Sequence, residues 1–381
     1  MRWVNVLHFY QPPLSRPEIV LEAAKLSYGR VAKALLKNPQ VKVTVNFSGC
    51  LLEQLIALKQ DELINDWRKL VERGQVELLG SAYWHALLPK ISLKDASYQI
   101  IAQENILKEI FKIERPQGFF APELAYSKEL AKWLVERGYS YAIVDEITID
   151  GRLDQAKDLL YQEESGLILA TRQRKLSKVY PPEVIMGDLR DCTKDLFTAT
   201  DGELYGLRHR DYRGNLEKVW ESKVADCLTV GELVAQSGDK KICEPVASSW
   251  ESQPEELVKR QPYFVWDNRQ NNIHSMLWSL ADLASQAAER FSSDNNREWV
   301  YRHLHQGLAS CAWWWASNQD FVLFGNRAWN PEEIIRGAEQ LARSVRSIEA
   351  EASRPWKQQT DKIFCSLQGL VWQEHWRQWL K

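Results

Sequence analysis

Two acidic residues far apart in the chain have the surroundings of a catalytic pair. Asp201 and Glu203 stand in "ATDGELYGLRHRD" (199–211), where a short apolar run ends in an acid, a glycine and a second acid. Glu123 stands in "FFAPELAYS" (119–127), directly after a proline and among aromatic rings. Two carboxyl groups of unequal protonation can divide nucleophilic and acid–base work between them. Taken singly, each residue also has a structural explanation. Glu123 could cap a helix over 127–138, and Asp201 could be a turn residue before Gly202. His8 could be a hydrogen-bonded core histidine. Glu77 lies inside the apolar stretch "QVELLG" (75–80) and is harder to dismiss, because a buried carboxylate is costly without partners.

The elements that must position these groups follow from periodicity. Strands are predicted over 3–9, 41–47, 75–80, 117–122, 141–145, 166–171 and 195–200, with a last one within 241–249. Helical periodicity fills 18–38, 51–73, 92–114 and 127–138, the third opening on Ser92 and Asp95 as caps and the fourth closed by Gly138. Strand–helix alternation implies parallel strands with helical crossovers. The expected fold is therefore α/β, an irregular barrel of the (β/α) type, with a doubly wound open sheet as the alternative. Beyond 255 strand signals vanish. The patterns over 272–291, 297–317, 331–353 and the C-terminal segment all read as helices. The expected domains are a barrel over 1–255 and a helical domain over 256–381, with their junction in 244–256.

In parallel α/β folds chemistry gathers where strands end. Five predicted strand ends carry His8, Glu77, Glu123, Asp201 and Trp250, interleaved with Phe9, Tyr10, Tyr83, Trp84, Phe120, Tyr126 and Tyr205. Carboxylates among aromatic rings describe a sugar site, since ring faces cover the apolar faces of sugars at small entropic cost. The 17 tryptophans fit that reading as well as a Trp-rich core. A net charge of −2 offers no basic field for nucleic acid or an anionic membrane. No run of 18 apolar residues predicts a membrane span. The N-terminus lacks a signal-peptide pattern, and the cysteines Cys50, Cys192, Cys227, Cys243, Cys311 and Cys365 form no CxxC pair. Reduced thiols in a cytoplasm are expected, and a structural zinc site is not.

With these motifs in order, the chain resembles glycoside hydrolase family 57, the retaining enzymes active on α-glucans. "HFYQP" (8–12), "GQVELLGSAYWHALLP" (74–89), "GFFAPELAYS" (118–127), "TDGELYG" (200–206) and "ASSWE" (247–251) are similar to its five motifs in sequence. The resemblance implies an incomplete (β/α)7 barrel followed by a C-terminal helical bundle. It implies Glu123 as nucleophile and Asp201 as general acid/base. His8, Glu77, His85, Phe120, His209 and Trp250 become candidates for contact with substrate, joined by Trp315 from "WWW" (313–315). It calls for no metal and no cofactor. The implied partner is an oligo- or polysaccharide, with neither nucleic acid nor membrane, and the oligomeric state stays open. The chain departs from the family's pattern at Phe120, where a tryptophan is usual, and in the single histidine of the first motif. The segment 207–214 is unusually basic. Its arginines could meet a charged sugar or pair with nearby acids.

Two rival readings keep the sugar and change the chemistry. A metal-dependent polysaccharide deacetylase would need an Asp and two His as ligands, commonly with His-x-x-x-His spacing. His303 and His305 are two apart, and His8 is followed by Phe9 and Tyr10. A non-catalytic carbohydrate-binding protein would keep the aromatics without needing both Glu123 and Asp201.

Overall fold

The structure, a computed structural model, describes residues 1–189, 193–318 and 328–379. Cys192 lies outside the described residues. The described residues include ten strands: β1 Arg2–Phe9, β2 Val43–Phe47, β3 Val76–Leu78, β4 Gly118–Phe120, β5 Tyr141–Asp145, β6 Leu160–Gln162, β7 Ile168–Arg172, β8 Leu196–Asp201, β9 Asp226–Leu228 and β10 Lys241–Ile242. They form two sheets. One has the order β3-β2-β1-β8, with β9 also on β1; the other has the order β10-β6-β7-β5-β4. Pairing is parallel except between β6 and β7. Two points link the sheets. Gly80 bridges Phe119, with Gly80 N donating to Gly118 O (2.9 Å) and Phe120 N to Gly80 O (2.8 Å). Gln173 N donates to Phe197 O (2.9 Å).

Alternation along the strands sorts two buried layers. Val4 and Val6 of β1, Phe120 of β4, Tyr141 and Ile143 of β5, Ala170 of β7 and Phe197 and Ala199 of β8 share one apolar cluster. Trp3, Leu7 and Phe9 of β1 and Val43, Val45 and Phe47 of β2 belong to another, packed with helical residues such as Val31, Leu35 and Trp67. Position by position, His8, Arg172, Asp145 and Asp201 continue the first set, each two residues beyond its last apolar member. The alternation therefore turns all four onto one face at the strand ends.

The α/β class and the parallel sheet agree with the sequence reading, and the local exceptions have physical causes. The helix expected over 18–38 is interrupted by a π-helical turn, Ala24–Tyr28, between Pro17–Ala23 and Gly29–Lys37. The strand expected within 241–249 shrinks to the exposed pair Lys241–Ile242. β6 and β9, three residues each, are too short to show a period. The helix expected over 297–317 is two, Arg297–Gly307 and Cys311–Trp314.

The chain divides into two compact units, Met1–Tyr83 with Ile100–Trp250 and Trp84–Gln99 with Glu251–Lys381. The second takes in 84–99, which a linear division at 255 assigns to the first. Its own packing is helical: Asn272–Arg290, Arg297–Gly307, Pro331–Arg346 and Arg354–Trp379. Trp84 stacks on His305, and Trp313 on Trp278.

Gly118 marks where strand packing admits no side chain. A β-carbon there would stand 2.1 Å from the Tyr141 ring, whereas one on Gly238 would meet nothing within 4 Å. Gly118→Ala is expected to lower unfolding free energy by about 1–3 kcal/mol, and Gly238→Ala to stay within about 0.5 kcal/mol. Urea denaturation of the two variants beside the parent chain checks both.

Candidate active site

Glu123 owes its position to backbone geometry. Ala121 is extended before Pro122, as a residue preceding proline prefers. Glu123 and Leu124 then both adopt the left-handed region, with φ of 62° and 47°. Each such residue costs roughly 1–2 kcal/mol, so neighbouring structure must hold the turn. The segment 248–250 does so. Trp250 N donates to Glu123 O (3.0 Å), while Tyr126 N donates to Ser248 O (2.8 Å) and Ser248 N to Tyr126 O (3.2 Å). The turn leaves Glu123 buried, 8% exposed, at the end of β4.

Asp201 ends β8 and lies in register with His8 of β1, which is in register with Asn46 of β2. Oδ2 of Asp201 accepts a hydrogen bond from Arg208 Nη1. The following residue must be small, because a β-carbon on Gly202 would stand 1.9 Å from the Phe9 ring. His8 is buried between these elements. Its ring stacks on Phe120 (4.5 Å between centroids, 13°) and meets Trp250 edge-on at 6.2 Å. Burial lowers its pKa, opposed by the charge of Asp201, so the ring is neutral near pH 7. Asn46 Oδ1 lies 2.7 Å from His8 Nδ1. That nitrogen carries the proton and Nε2 keeps its lone pair.

Sequence reasoning gave Glu203 no role of its own. It sits in the turn Gly202–Leu204 and is 2% exposed. Its Oε1 accepts from the Tyr28 hydroxyl, from Gln11 Nε2 (3.2 Å) and from Tyr10 N (3.4 Å). Burial, opposed by Arg208 and reinforced by Asp201, raises its pKa from 4.5 to about 7. The π-helical turn is what brings Tyr28 there, and Ser27 Oγ of the same turn donates to Gly202 O (2.7 Å). Such turns recur at functional sites. The "DGE" spacing in the sequence was the available signal.

The first unit thus brings together Glu123, Asp201, His8, Phe120 and Trp250. Three candidates have these partners within the fold. Glu77 is held inside the sheets: Tyr141 OH donates to Oε1, and Thr44 Oγ1 (2.9 Å) and Gly231 N (3.0 Å) donate to Oε2. Its register partner Thr44 lies two residues before Asn46, so its carboxylate satisfies strands below the site. His209 stacks on Tyr180 at 4.3 Å and faces Glu183 (3.7 Å). Phe120 is fully buried, with a ring face taken by His8, and so acts as a support for the histidine. His85 and Trp315 belong to the second unit. His85 Nδ1 lies 3.0 Å from Ser310 Oγ, and Trp315 packs edge-on against Trp314. In the basic segment, Arg208 and His209 both face acids, as the pairing alternative expected. Among the described residues no three His, Cys, Asp or Glu side chains converge as a metal site would require. No described helix is long and apolar enough to cross a membrane.

The family model of Glycosyl hydrolase family 57 matches residues 8–181. In sequence the chain is similar to alpha-amylase 1 of Dictyoglomus thermophilum, 27% identical over 227 residues, which cover 56% of this chain and 33% of that one. It is similar to the 4-alpha-glucanotransferase of Thermococcus litoralis, 27% identical over 241 residues, covering 60% and 36%. The match therefore spans about a third of the length of these relatives. In structure the chain resembles the 4-alpha-glucanotransferase of Thermococcus litoralis, with a TM-score of 0.73 at 19% identity, covering 92% of this chain and 60% of that one. It also resembles the branching enzyme of Pyrococcus horikoshii, with a TM-score of 0.69 at 15% identity, covering 96% and 95%. At these identities the structural likeness is one of fold.

Glu203 carries a testable consequence for stability. Its carboxyl keeps a proton up to about pH 7 in the folded chain and only to about 4.5 in an ordinary setting. Folding therefore takes up a proton between those values, and its contribution to stability falls as pH rises from about 4.5 to 7 and stays low above. Glu203→Gln keeps an acceptor for Tyr28 and removes the titration. The difference in melting temperature between variant and parent should grow in favour of the variant across that interval. A difference that stays flat with pH would contradict the assignment.

Proposed function

We propose that this chain, whose residues 8–181 match the Glycosyl hydrolase family 57 model, is a retaining enzyme that cleaves or transfers α-glucan chains by double displacement. One observation carries the reading. Glu123 on its strained turn and Asp201 at the end of β8 both adjoin the elements around His8: Trp250 binds the Glu123 backbone and meets the His8 ring, and Asp201 is the register neighbour of His8. Ionised Glu123 attacks the anomeric carbon and forms a glycosyl-enzyme. Protonated Asp201 gives its proton to the departing oxygen, then takes one from water or from an acceptor sugar. The stereochemical outcome requires the two carboxyl groups to lie about 5–5.5 Å apart. His8, neutral and with Nε2 as an acceptor, suits a sugar hydroxyl, and Trp250 offers a ring to a sugar face. The names of the sequence relatives, alpha-amylase and 4-alpha-glucanotransferase, support an α-glucan as substrate. Whether water or a second glucan accepts the sugar depends on how well the glycosyl-enzyme is shielded.

The architecture read with this function is an incomplete (β/α)7 barrel, β1-β2-β3-β4-β5-β7-β8, with a C-terminal helical bundle. Its support is the pair of links between the sheets, at Gly80–Phe119 and at Gln173–Phe197. The domain roles follow, with catalysis assigned to the N-terminal domain and the helices after 255 as the second. A cytoplasmic setting is supported by the free thiols Cys50, Cys227, Cys243, Cys311 and Cys365.

The test is incubation with maltooligosaccharides, amylose and glycogen, with products read by mass spectrometry and the anomer first formed read by NMR. Retained α-configuration is expected. Shorter products alone indicate hydrolysis, and longer with shorter ones indicate transfer. Asp201→Asn should slow turnover by about 10²–10⁴-fold, and Glu123→Gln should remove it with circular dichroism unchanged. Turnover of either variant within a few-fold of the parent overturns the roles. Turnover lost to EDTA and restored by zinc would favour the deacetylase reading.

A further inference from the structure

Asp145 is the last residue of β5 and is fully buried. A carboxylate cut off from water must be compensated. Here two buried arginines do so. Arg172 at the end of β7 donates from Nε to Oδ2 (2.6 Å), and Arg174 donates from Nε (2.9 Å) and Nη2 (2.6 Å) to Oδ1. A guanidinium has five N–H donors in a rigid plane, and this carboxylate uses only part of that set. The remaining donors of Arg172 reach two separate pieces of backbone. Nη1 donates to Ala199 O of β8 (2.9 Å), two residues before Asp201. Nη2 donates to Trp250 O (3.3 Å), and the guanidinium lies 5.1 Å from the centre of the Trp250 ring. Arg174 Nη2 adds a longer contact to Ser249 O (3.5 Å).

Trp250 in turn donates its backbone N–H to Glu123 O, where the chain is left-handed at two successive residues. One planar group, fixed from behind by Asp145, therefore touches the strand that carries Asp201 and the segment that holds the Glu123 turn.

We propose that Arg172, locked by Asp145, is a positioning residue that sets the spacing of the Glu123 and Asp201 carboxyl groups by tying Ala199 and Trp250 to the end of β5. The proposal rests on the roles of Glu123 and Asp201 given above. A plain ion cluster would serve stability alone. A spacer serves the chemical step, because a misplacement of about 1 Å can lower rate about 10²-fold.

Arg172→Lys keeps the charge and loses the fork. Arg172→Gln leaves Asp145 paired one-to-one with Arg174 and so guards against a charge imbalance that prevents folding. Each is compared with the parent chain by kcat and KM on a maltooligosaccharide and by hydrogen exchange of the Trp250 amide. A fall in kcat of about 10²-fold, with KM within about three-fold and faster exchange at Trp250 but not at Ala170, is expected. A kcat within about three-fold of the parent, or a lower kcat with Trp250 exchange unchanged, overturns the proposal. If the parent chain acts on no glucan while exchange at Trp250 still rises in the variants, the α-glucan reading fails and the tie to the segment stands.

Discussion

The arrangement depends on the two-residue period of parallel strands. Because side chains alternate, the residue two beyond the last buried apolar one must point to the same side. On β1 the series runs Val4, Val6, His8; on β5 Tyr141, Ile143, Asp145; on β7 Ala170, Arg172; on β8 Phe197, Ala199, Asp201. Apolar members build the core, and the polar member that follows becomes part of the site. A one-residue slip of β8 against β1 would turn Asp201 away and move Phe197 into the other buried layer at the same time. The hydrophobic effect that fixes strand register thus also decides which face these four groups share.

Glu123 is the exception, since it lies on a turn. Its left-handed backbone is stable only because a second piece of chain, 248–250, pairs with it. That segment is anchored by buried hydrogen bonds: Val246 N to Thr148 O (2.8 Å), the Thr148 and Ser248 hydroxyls with each other (2.8 Å), and the arginines on Asp145. Removing one member of a buried charged network costs about 3–5 kcal/mol. The anchor is therefore stiff enough to outweigh strain of roughly 1–2 kcal/mol per left-handed residue.

Much of this was legible in the sequence. Strong alternation gave β1, β2, β5 and β8, and motif order gave Glu123, Asp201 and Trp250 as a set. Two short strands, Leu160–Gln162 and Asp226–Leu228, escaped, whereas the equally short Val76–Leu78 and Gly118–Phe120 stand within longer apolar stretches. The partners of Glu77 could not be read from the sequence, for a definite reason. A lone carboxylate in an apolar strand looks functional until its partners appear, and Thr44, Tyr141 and Gly231 come from three distant stretches. The role of Glu203 was hidden likewise, since it follows from a π-helical turn that places Tyr28 against it. His209 is a substrate-contact candidate in the sequence, and only the structure shows its packing on Tyr180. The membership of 84–99 in the second unit is a long-range property that no local pattern carries.

Charge is the remaining thread. His8 is neutral through burial, Glu203 holds its proton up to about pH 7, and Asp201 is matched by Arg208. The two buried guanidiniums of Arg172 and Arg174 share the single carboxylate of Asp145. A neutral sugar loses nothing on entering such surroundings, and positive charge develops on it only as the bond to the leaving oxygen breaks. In the proposed mechanism the carboxylate of Glu123 interacts more strongly with that developing charge than with the uncharged ground state. That difference is the condition for catalysis.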